Sequence, residues 1–356
     1  MVKLTKKGLL AQWKRIKKTL ELTSELKAIL TEYEKNCKKR NIPVIYNLTH
    51  FSLLTEIDYS AIKSMVNSSQ SFYYEFKIPK RKGGLRQIDK PYPSLSLVQN
   101  WIKKNILDLQ EVHFSAAAYV KGRSIMDNAK IHLNNECILK IDLKDFFTTI
   151  KIQRVIYLFL SFGYPRHISL YLALLCTKNR YLPQGASTSP VLSNLVCRKL
   201  DNRLVKLCES WKFAYSRYAD DITISGKHIP LNFQNIVYSV IEEEGFVLNL
   251  EKTKLIRGSN KRKIITGISI SNSNLHLPKS TKRQWKTEIY NFIKNNEIGD
   301  DIKNKKFQNL NFDQALGKVN FWLQVEPQCQ FALKSLVTLQ EMKKSKQSST
   351  ETKLND

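Results

Sequence analysis

The stretch FAYSRYADDITIS, Phe213–Ser225, holds two short strand-forming runs, Tyr215–Tyr218 and Ile222–Ile224, with the carboxylates Asp220 and Asp221 between them. Aromatic and β-branched residues favour extended backbone, so the stretch predicts a strand–turn–strand unit carrying two acids at its turn. An adjacent Asp pair is by itself more often a turn than a site. A third acid changes the reading: Asp142 stands inside Ile138–Leu143, a strand that is apolar apart from Lys140 and Asp142 itself. Like charges held about 4 Å apart repel by several kcal/mol at an effective dielectric of about 20, so such a trio persists where cations neutralise it. Hard oxygen ligands supplied by few protein groups suit Mg²⁺, which leaves its remaining positions to water and phosphates. Two such ions stabilise the attacking and leaving oxygens of an in-line phosphoryl transfer. Spacing alone leaves polymerase and nuclease both open.

Charge points to the same class of partner. The 356 residues include 58 Lys and Arg against 31 Asp and Glu, a net +27, which concentrates polyanions at the surface. An anionic membrane is the weaker candidate, because no apolar run approaches the roughly 20 residues needed to span a bilayer. The richest runs, Val155–Leu160 and Ile168–Cys176, are short and read as buried helices. Lys14, Arg15, Lys17 and Lys18 interrupt any signal-peptide core. Six scattered cysteines form no CxxC pair, which fits small buried hydrophobes in a reducing cytoplasm.

Along the chain, residues 1–40 carry twelve Lys or Arg against four Glu, with Leu9, Leu10, Trp13, Ile16 and Leu20 at helical spacing. A basic amphipathic helix is expected there, either a solvated face or an RNA contact. Pro43 and Tyr46–Thr55 are expected to break it, with a helix at Tyr59–Val66 following. Phe72–Ile78 and Leu85–Ile88 read as a hairpin with a Lys- and Arg-rich, glycine-containing tip. A helix over Leu95–Leu109, helices within 152–177, and a loop over Leu182–Pro190 follow. Ser189 is expected as the N-cap of a helix reaching Cys208, with Pro190 at its first helical position. Strands are expected at Val247–Leu250 and Ile264–Ile270, then basic helices from Lys279 and a disordered polar tail after Lys343.

The order of these pieces resembles the reverse transcriptase family over more than two hundred residues. Tyr218-Ala219-Asp220-Asp221 is similar to the family's catalytic hairpin, and Asp142 with Phe147 five residues on is similar to its first metal-binding motif. Leu182-Pro183-Gln184-Gly185-Ala186-Ser187 leading into Ser189-Pro190 resembles the second, and Gly245–Lys254 with Asn249 and Lys252 the fourth. The resemblance implies an α+β right-hand polymerase with fingers, a palm of antiparallel sheet packed on helices, and a helical thumb. It implies Asp142, Asp220 and Asp221 as catalytic metal ligands for two Mg²⁺ ions, and dNTPs as substrates. Phe147 would be the sugar gate, with Phe146 beside it as the alternative. Gln184 and Gly185 would admit the nucleotide's approach. Arg86 would grip the triphosphate through its donor fork, with Lys82 a possible assistant or merely part of a solvated tip. Lys252 would neutralise the pyrophosphate or stand as a surface lysine, and Tyr218 would meet the primer end.

Two further segments resemble retron enzymes: Asn128-Ala129-Lys130-Ile131-His132, similar to their Asn-Ala-x-x-His signature, and Ile265-Thr266-Gly267, similar to Val-Thr-Gly with Ile for Val. Asn128 and His132 stand four apart and would share a helix face. The division expected is a basic helical extension over 1–41, fingers and palm over 42–270, a thumb over 271–343 and the tail over 344–356. The resemblance implies a bacterial, cytoplasmic enzyme priming from a 2′-hydroxyl of its own structured noncoding RNA. Its product would be branched multicopy single-stranded DNA carrying an RNA–DNA hybrid, made alongside an effector protein of the same operon in anti-phage defence. The rival readings are another bacterial reverse transcriptase without branched priming, and an RNA-binding scaffold that sequesters an effector.

Overall fold

A computed structural model describes residues 23–80, 83–258, 261–271, 273–297 and 310–352. Most of the basic N-terminal segment and Lys82 of the hairpin tip therefore lie outside the described residues. The chain forms two units: Met1–Gly122, Lys140–Ile222 and Pro230–Lys254 in one, and Arg123–Leu139, Thr223–Ile229 and Leu255–Asp356 in the other.

In the first unit the helix Ser24–Lys39 opens on a Thr23 cap. The segment expected to be a break after it is partly helical. Asn47 caps Leu48–Thr55 by accepting from the His50 N–H at 2.8 Å, and Glu56 ends that helix in the left-handed region. The short polar side chain of Asn47 competes well for the first free amides, and this sets where the Leu-containing stretch Leu48–Thr55 begins its helix.

Strands β1 (Tyr73–Pro79) and β2 (Leu85–Pro91) pair antiparallel, from Tyr73 opposite Pro91 to Pro79 opposite Leu85. Residues alternate between faces along a strand. Glu75, Gln87 and Asp89 therefore share one face, and Phe76, Ile78, Arg86 and Ile88 the other. Lys178, with its side chain only 5% exposed, donates to Asp89 Oδ1 at 2.6 Å and pairs with Glu75, which anchors the first of these faces.

The central sheet runs β4 (Ala214–Tyr218), β5 (Asp221–Gly226), β3 (Cys137–Lys144) and β6 (Val247–Leu248), with β7 (Lys254–Ile256) also on β3. On β3, Leu139, Ile141 and Leu143 are buried, while Lys140 and Asp142 alternate with them and remain partly open. The sequence places Leu192, Leu195, Val196 and Leu200 on one stripe of the helix expected after the loop over 182–190; the three leucines are buried and Val196 is partly buried. The stripe is carried by two helices, Ser189–Val196 and Arg198–Ser210, meeting at Cys197 rather than by one. Thr188, not Ser189, stands at the cap position. Ser189 is the first helical residue, and its buried hydroxyl has no partner among the described residues.

The second unit contains the antiparallel sheet β10–β9–β8, made of β8 (Lys263–Ile265), β9 (Ile268–Ser271) and β10 (Asn274–His276). The helices Ile125–Lys130, Lys279–Glu297, Phe312–Val325 and Gln330–Thr352 belong to it. Its core gathers Ile265, Ile268, Ile289, Val319, Trp322 and Leu339. Ile264–Ile270, expected as a single strand, is a hairpin in which Ile265 faces Ile268 across Thr266 and Gly267. Both turn residues have positive φ, 45° and 88°, the geometry that matches the twist of the flanking strands. The last helix continues to Thr352, past Lys343, where order was expected to end. No helix among the described residues is long and apolar enough to cross a membrane.

Candidate active site

The β4–β5 hairpin brings its acids to the sheet's open end because its turn is only Ala219 and Asp220. Ala219 is buried and held at φ +57°, a region that costs an L-residue roughly 1 kcal/mol. The Asp220 carbonyl accepts from the Leu143 amide at 3.0 Å, which ties the turn to the strand that carries Asp142. On the far edge of β3, the Asp142 carbonyl accepts from the Asn249 amide at 2.8 Å, and the turn begun at Asn249 presents Lys252. The Lys252 ammonium lies 2.9 and 3.2 Å from the two Asp142 carboxylate oxygens.

Electrostatics disfavour the charged forms of Asp220 and Asp221. Burial, followed by the charge of Asp142, raises the Asp220 carboxyl above its ordinary range. Burial and then Asp220 push Asp221 up to about 6, while Lys140 on β3 pulls it back. Bonding to Asp142 raises the Lys252 ammonium. Among the described residues no three acidic, histidine or cysteine groups form a ready metal cage. Two raised carboxyls beside a third that borrows a lysine for neutralisation are a donor set short of positive charge, and they fit a divalent ion.

The other residues expected around the acids belong to the same unit. Phe146 is core, 4% exposed and stacked 5.8 Å from Phe246. Phe147 is only partly buried and meets Phe146 edge-on at 5.4 Å, so it is the ring left available. Arg86 is exposed on β2, and its charge lowers the Asp220 carboxyl. Tyr218 ends β4 beside the turn. Gly185 lies against strand β2. A Cβ there would meet the Asp89 carbonyl oxygen at 2.8 Å and Ile88 at 3.0 Å, and the Gln184 carbonyl accepts from the Asp89 amide at 2.8 Å. What approaches this loop so closely is strand β2, so Gln184 and Gly185 seat the strand that bears Arg86.

The retron-like segments meet in the second unit. The Asn128 side-chain amide donates to Thr266 Oγ1 at 3.4 Å, and His132 Nδ1 lies 2.7 Å from Ser225 Oγ. Asn128, Ala129, His132 and Ile265 are all at most 1% exposed, and Gly267 completes the turn beside Thr266. The helix ends at Lys130, so His132 reaches this cluster from the turn that follows. Burial alone lowers the His132 imidazole to about 3 and keeps it neutral.

Four residues not singled out from sequence belong to the site's framework: Lys178, Asp201, Asn194 and Arg217. The available signal was charge at apolar positions. Asp201 lies in the Leu200–Leu204 stripe, and Arg217 shares a face with Tyr215 along a buried strand. Tyr119 was also missed. It is half exposed at φ +61°, and burial followed by the Asp220 charge raises its phenol.

The family described as reverse transcriptase (RNA-dependent DNA polymerase) matches residues 78–310. The Escherichia coli retron Ec86 reverse transcriptase is 33% identical over 276 residues, 75% of this chain and 86% of that protein. The Escherichia coli retron Ec83 reverse transcriptase is 30% identical over 273 residues, covering 72% and 83% respectively. Among solved structures, telomerase from Candida albicans aligns at TM-score 0.46 and 12% identity, over 81% of this chain and 67% of that one.

Proposed function

The chain belongs to the reverse transcriptase family, on its retron branch, and we propose that it copies part of its own structured noncoding RNA from a 2′-hydroxyl primer. The coarser activity is that of the branch: an RNA-directed DNA polymerase with an RNA template and a DNA product. Divalent metal ions serve this family generally. In our reading they are two Mg²⁺ ions held by Asp142, Asp220 and Asp221. The observation that carries the reading is the tie between strands: Leu143 on Asp220 and Asn249 on Asp142 bring three acids and one lysine to a single sheet end.

When bound, the ions supply charge for the attacking oxygen and the departing pyrophosphate. The chain's own groups do the rest. Arg86 presents a planar donor fork to the triphosphate from a strand seated on Gln184 and Gly185. Phe147 covers the position of the sugar's 2′ edge and offers a hydroxyl neither room nor a partner. Lys252, which lies beside Asp142, would be available to the pyrophosphate. Tyr218 adjoins the primer end. The cognate RNA, an effector protein of the same operon, branched multicopy DNA, a role in phage defence and a bacterial cytoplasmic setting complete the proposal. The division into an extension over 1–41, fingers and palm over 42–270, and a thumb over 271–343 is part of the same reading.

The test is self-primed synthesis on the cognate RNA with Mg²⁺, followed by digestion of the product with a debranching enzyme. Release of DNA from a 2′–5′ linkage is expected. A product without such a linkage would leave a general reverse transcriptase.

A further inference from the structure

Beneath the catalytic turn lies an ion pair that water does not reach. Arg217 and Asp201 are both 0% exposed. Arg217 Nε donates to Asp201 Oδ1 at 2.8 Å and Nη2 to Oδ2 at 2.7 Å, a two-pronged contact. Nη1 reaches the other way, to Asn194 Oδ1 and to the carbonyl oxygen of Ala219, both at 3.2 Å. Tyr215 donates its phenol to Asp201 Oδ1 at 2.7 Å, and the Asn194 amide donates to the Ala118 carbonyl at 2.8 Å. The Arg217 backbone is also bonded on both sides, donating to Ser115 and accepting from Ala117.

Stability gives little reason for such a pair. Taking both charges out of water costs about what their attraction returns, and well-packed apolar side chains often replace them without loss. Geometry gives a better reason. The Ala219 carbonyl is held from below by Arg217, and the next carbonyl, that of Asp220, is held from the side by Leu143. Two consecutive peptide groups are thereby fixed in a turn whose first residue is at φ +57°. Those peptides set the directions in which Asp220 and Asp221 leave the backbone. Catalytic groups tolerate displacements of only about 0.5 Å.

We propose that Arg217, seated on Asp201 and Asn194, is a positioning residue that aims Asp220 and Asp221 by holding the Ala219 carbonyl. The proposal rests on the reading of those two acids as the catalytic carboxylates. Arg217→Lys keeps a cation for Asp201 but lacks the fork that reaches Asn194 and Ala219 at once. It should fold, lower kcat by about tenfold to a hundredfold, and leave KM for the nucleotide within about threefold. The Mg²⁺ concentration for half-maximal rate should rise severalfold, a readout that a merely structural role would not move at a temperature well below melting. Should the lysine variant not fold, Arg217→Met combined with Asp201→Leu leaves no lone buried charge and is expected to show the same kinetic pattern. Asp220→Asn is measured in parallel. If it is inactive while a folded variant of the pair keeps the wild-type kcat and Mg²⁺ dependence, the positioning role is overturned. If Asp220→Asn is itself active, the reading of the acids fails instead. Failure of both pair variants to fold would make the pair structural and would equally overturn the proposal.

Discussion

Lys252 Nζ lies 2.9 Å from Asp142 Oδ1, so a lysine sets one positive charge directly against the acids. The Lys252 side chain is 64% exposed, which makes this a weak, solvent-screened pair. Removing it as Lys252→Met should make Mg²⁺ bind more tightly, by about two- to fivefold, because the metal no longer displaces a competitor. Turnover should fall at the same time, since the pyrophosphate loses a counter-charge. Metal titration in the absence of nucleotide separates the two effects, and unchanged Mg²⁺ affinity would remove Lys252 from the metal's surroundings.

The pH dependence of metal binding should come from Asp221. Its carboxyl titrates near 6 when folded, against 3.8 for the free side chain, so the native state holds the proton more tightly. Stability from this group is complete below about pH 4, declines as pH rises, and is gone above about pH 6. The Lys252 ammonium is raised from an already high value and stays charged throughout this window. Metal-free Asp221→Asn should therefore melt about 1–3 °C above wild type at pH 7.5 and close to it at pH 4. The melting shift produced by Mg²⁺ in the wild type should grow between pH 4 and pH 7. Calorimetry across that range decides the matter, and a pH-independent shift would assign the proton elsewhere.

Sugar selection tests the two phenylalanines against each other. Phe146 is core and Phe147 is partly open, so Phe147→Ala should admit ribonucleotides more readily while the protein stays folded. Phe146→Ala should instead destabilise, by about 3–5 kcal/mol for an emptied aromatic site. The ratio of kcat/KM for deoxy- and ribonucleotides is the quantity to compare. An unchanged ratio in folded Phe147→Ala would rule out that ring as the gate.

These tests fall on residues that the sequence displays openly, because local pattern carries them. The acids interrupt apolar strands, and the strands and long helices obey simple periods, so β3, the β4–β5 hairpin and the later helices were legible. What escaped depends on partners distant in the chain. Nothing near Lys178 announces that it will meet Glu75 and Asp89, and nothing near Arg217 announces Asp201. The Thr266–Gly267 turn was hidden for a different reason. Thr strongly favours extended backbone, so a Thr at φ +45° makes a hairpin read as one continuous strand. The packing of Gly185 against β2 was likewise hidden, since only tertiary structure reveals that this strand fills the space its missing Cβ leaves.

The retron-like cluster yields the last prediction. Asn128 and His132 are buried and bonded to Thr266 and Ser225, so neither side chain can touch RNA directly. Any effect on priming must pass through the surface they hold in shape, namely the turn after Lys130 and the hairpin containing Thr266 and Gly267. The chemistry of the first nucleotide addition is the same from a 2′- or a 3′-hydroxyl, so the difference lies in how the RNA is held. Asn128→Ala and His132→Ala should each lower stability by roughly 1–3 kcal/mol, the cost of leaving a buried polar partner unsatisfied. Below the melting temperature, extension of an ordinary annealed primer should then be largely retained. Self-primed synthesis on the cognate RNA should fall several times further. Both assays run on one preparation, with the debranched product quantified, give the comparison directly. Equal losses in the two would make the cluster a stabilising element of its unit and nothing more, and branched priming would then have to be set by other residues.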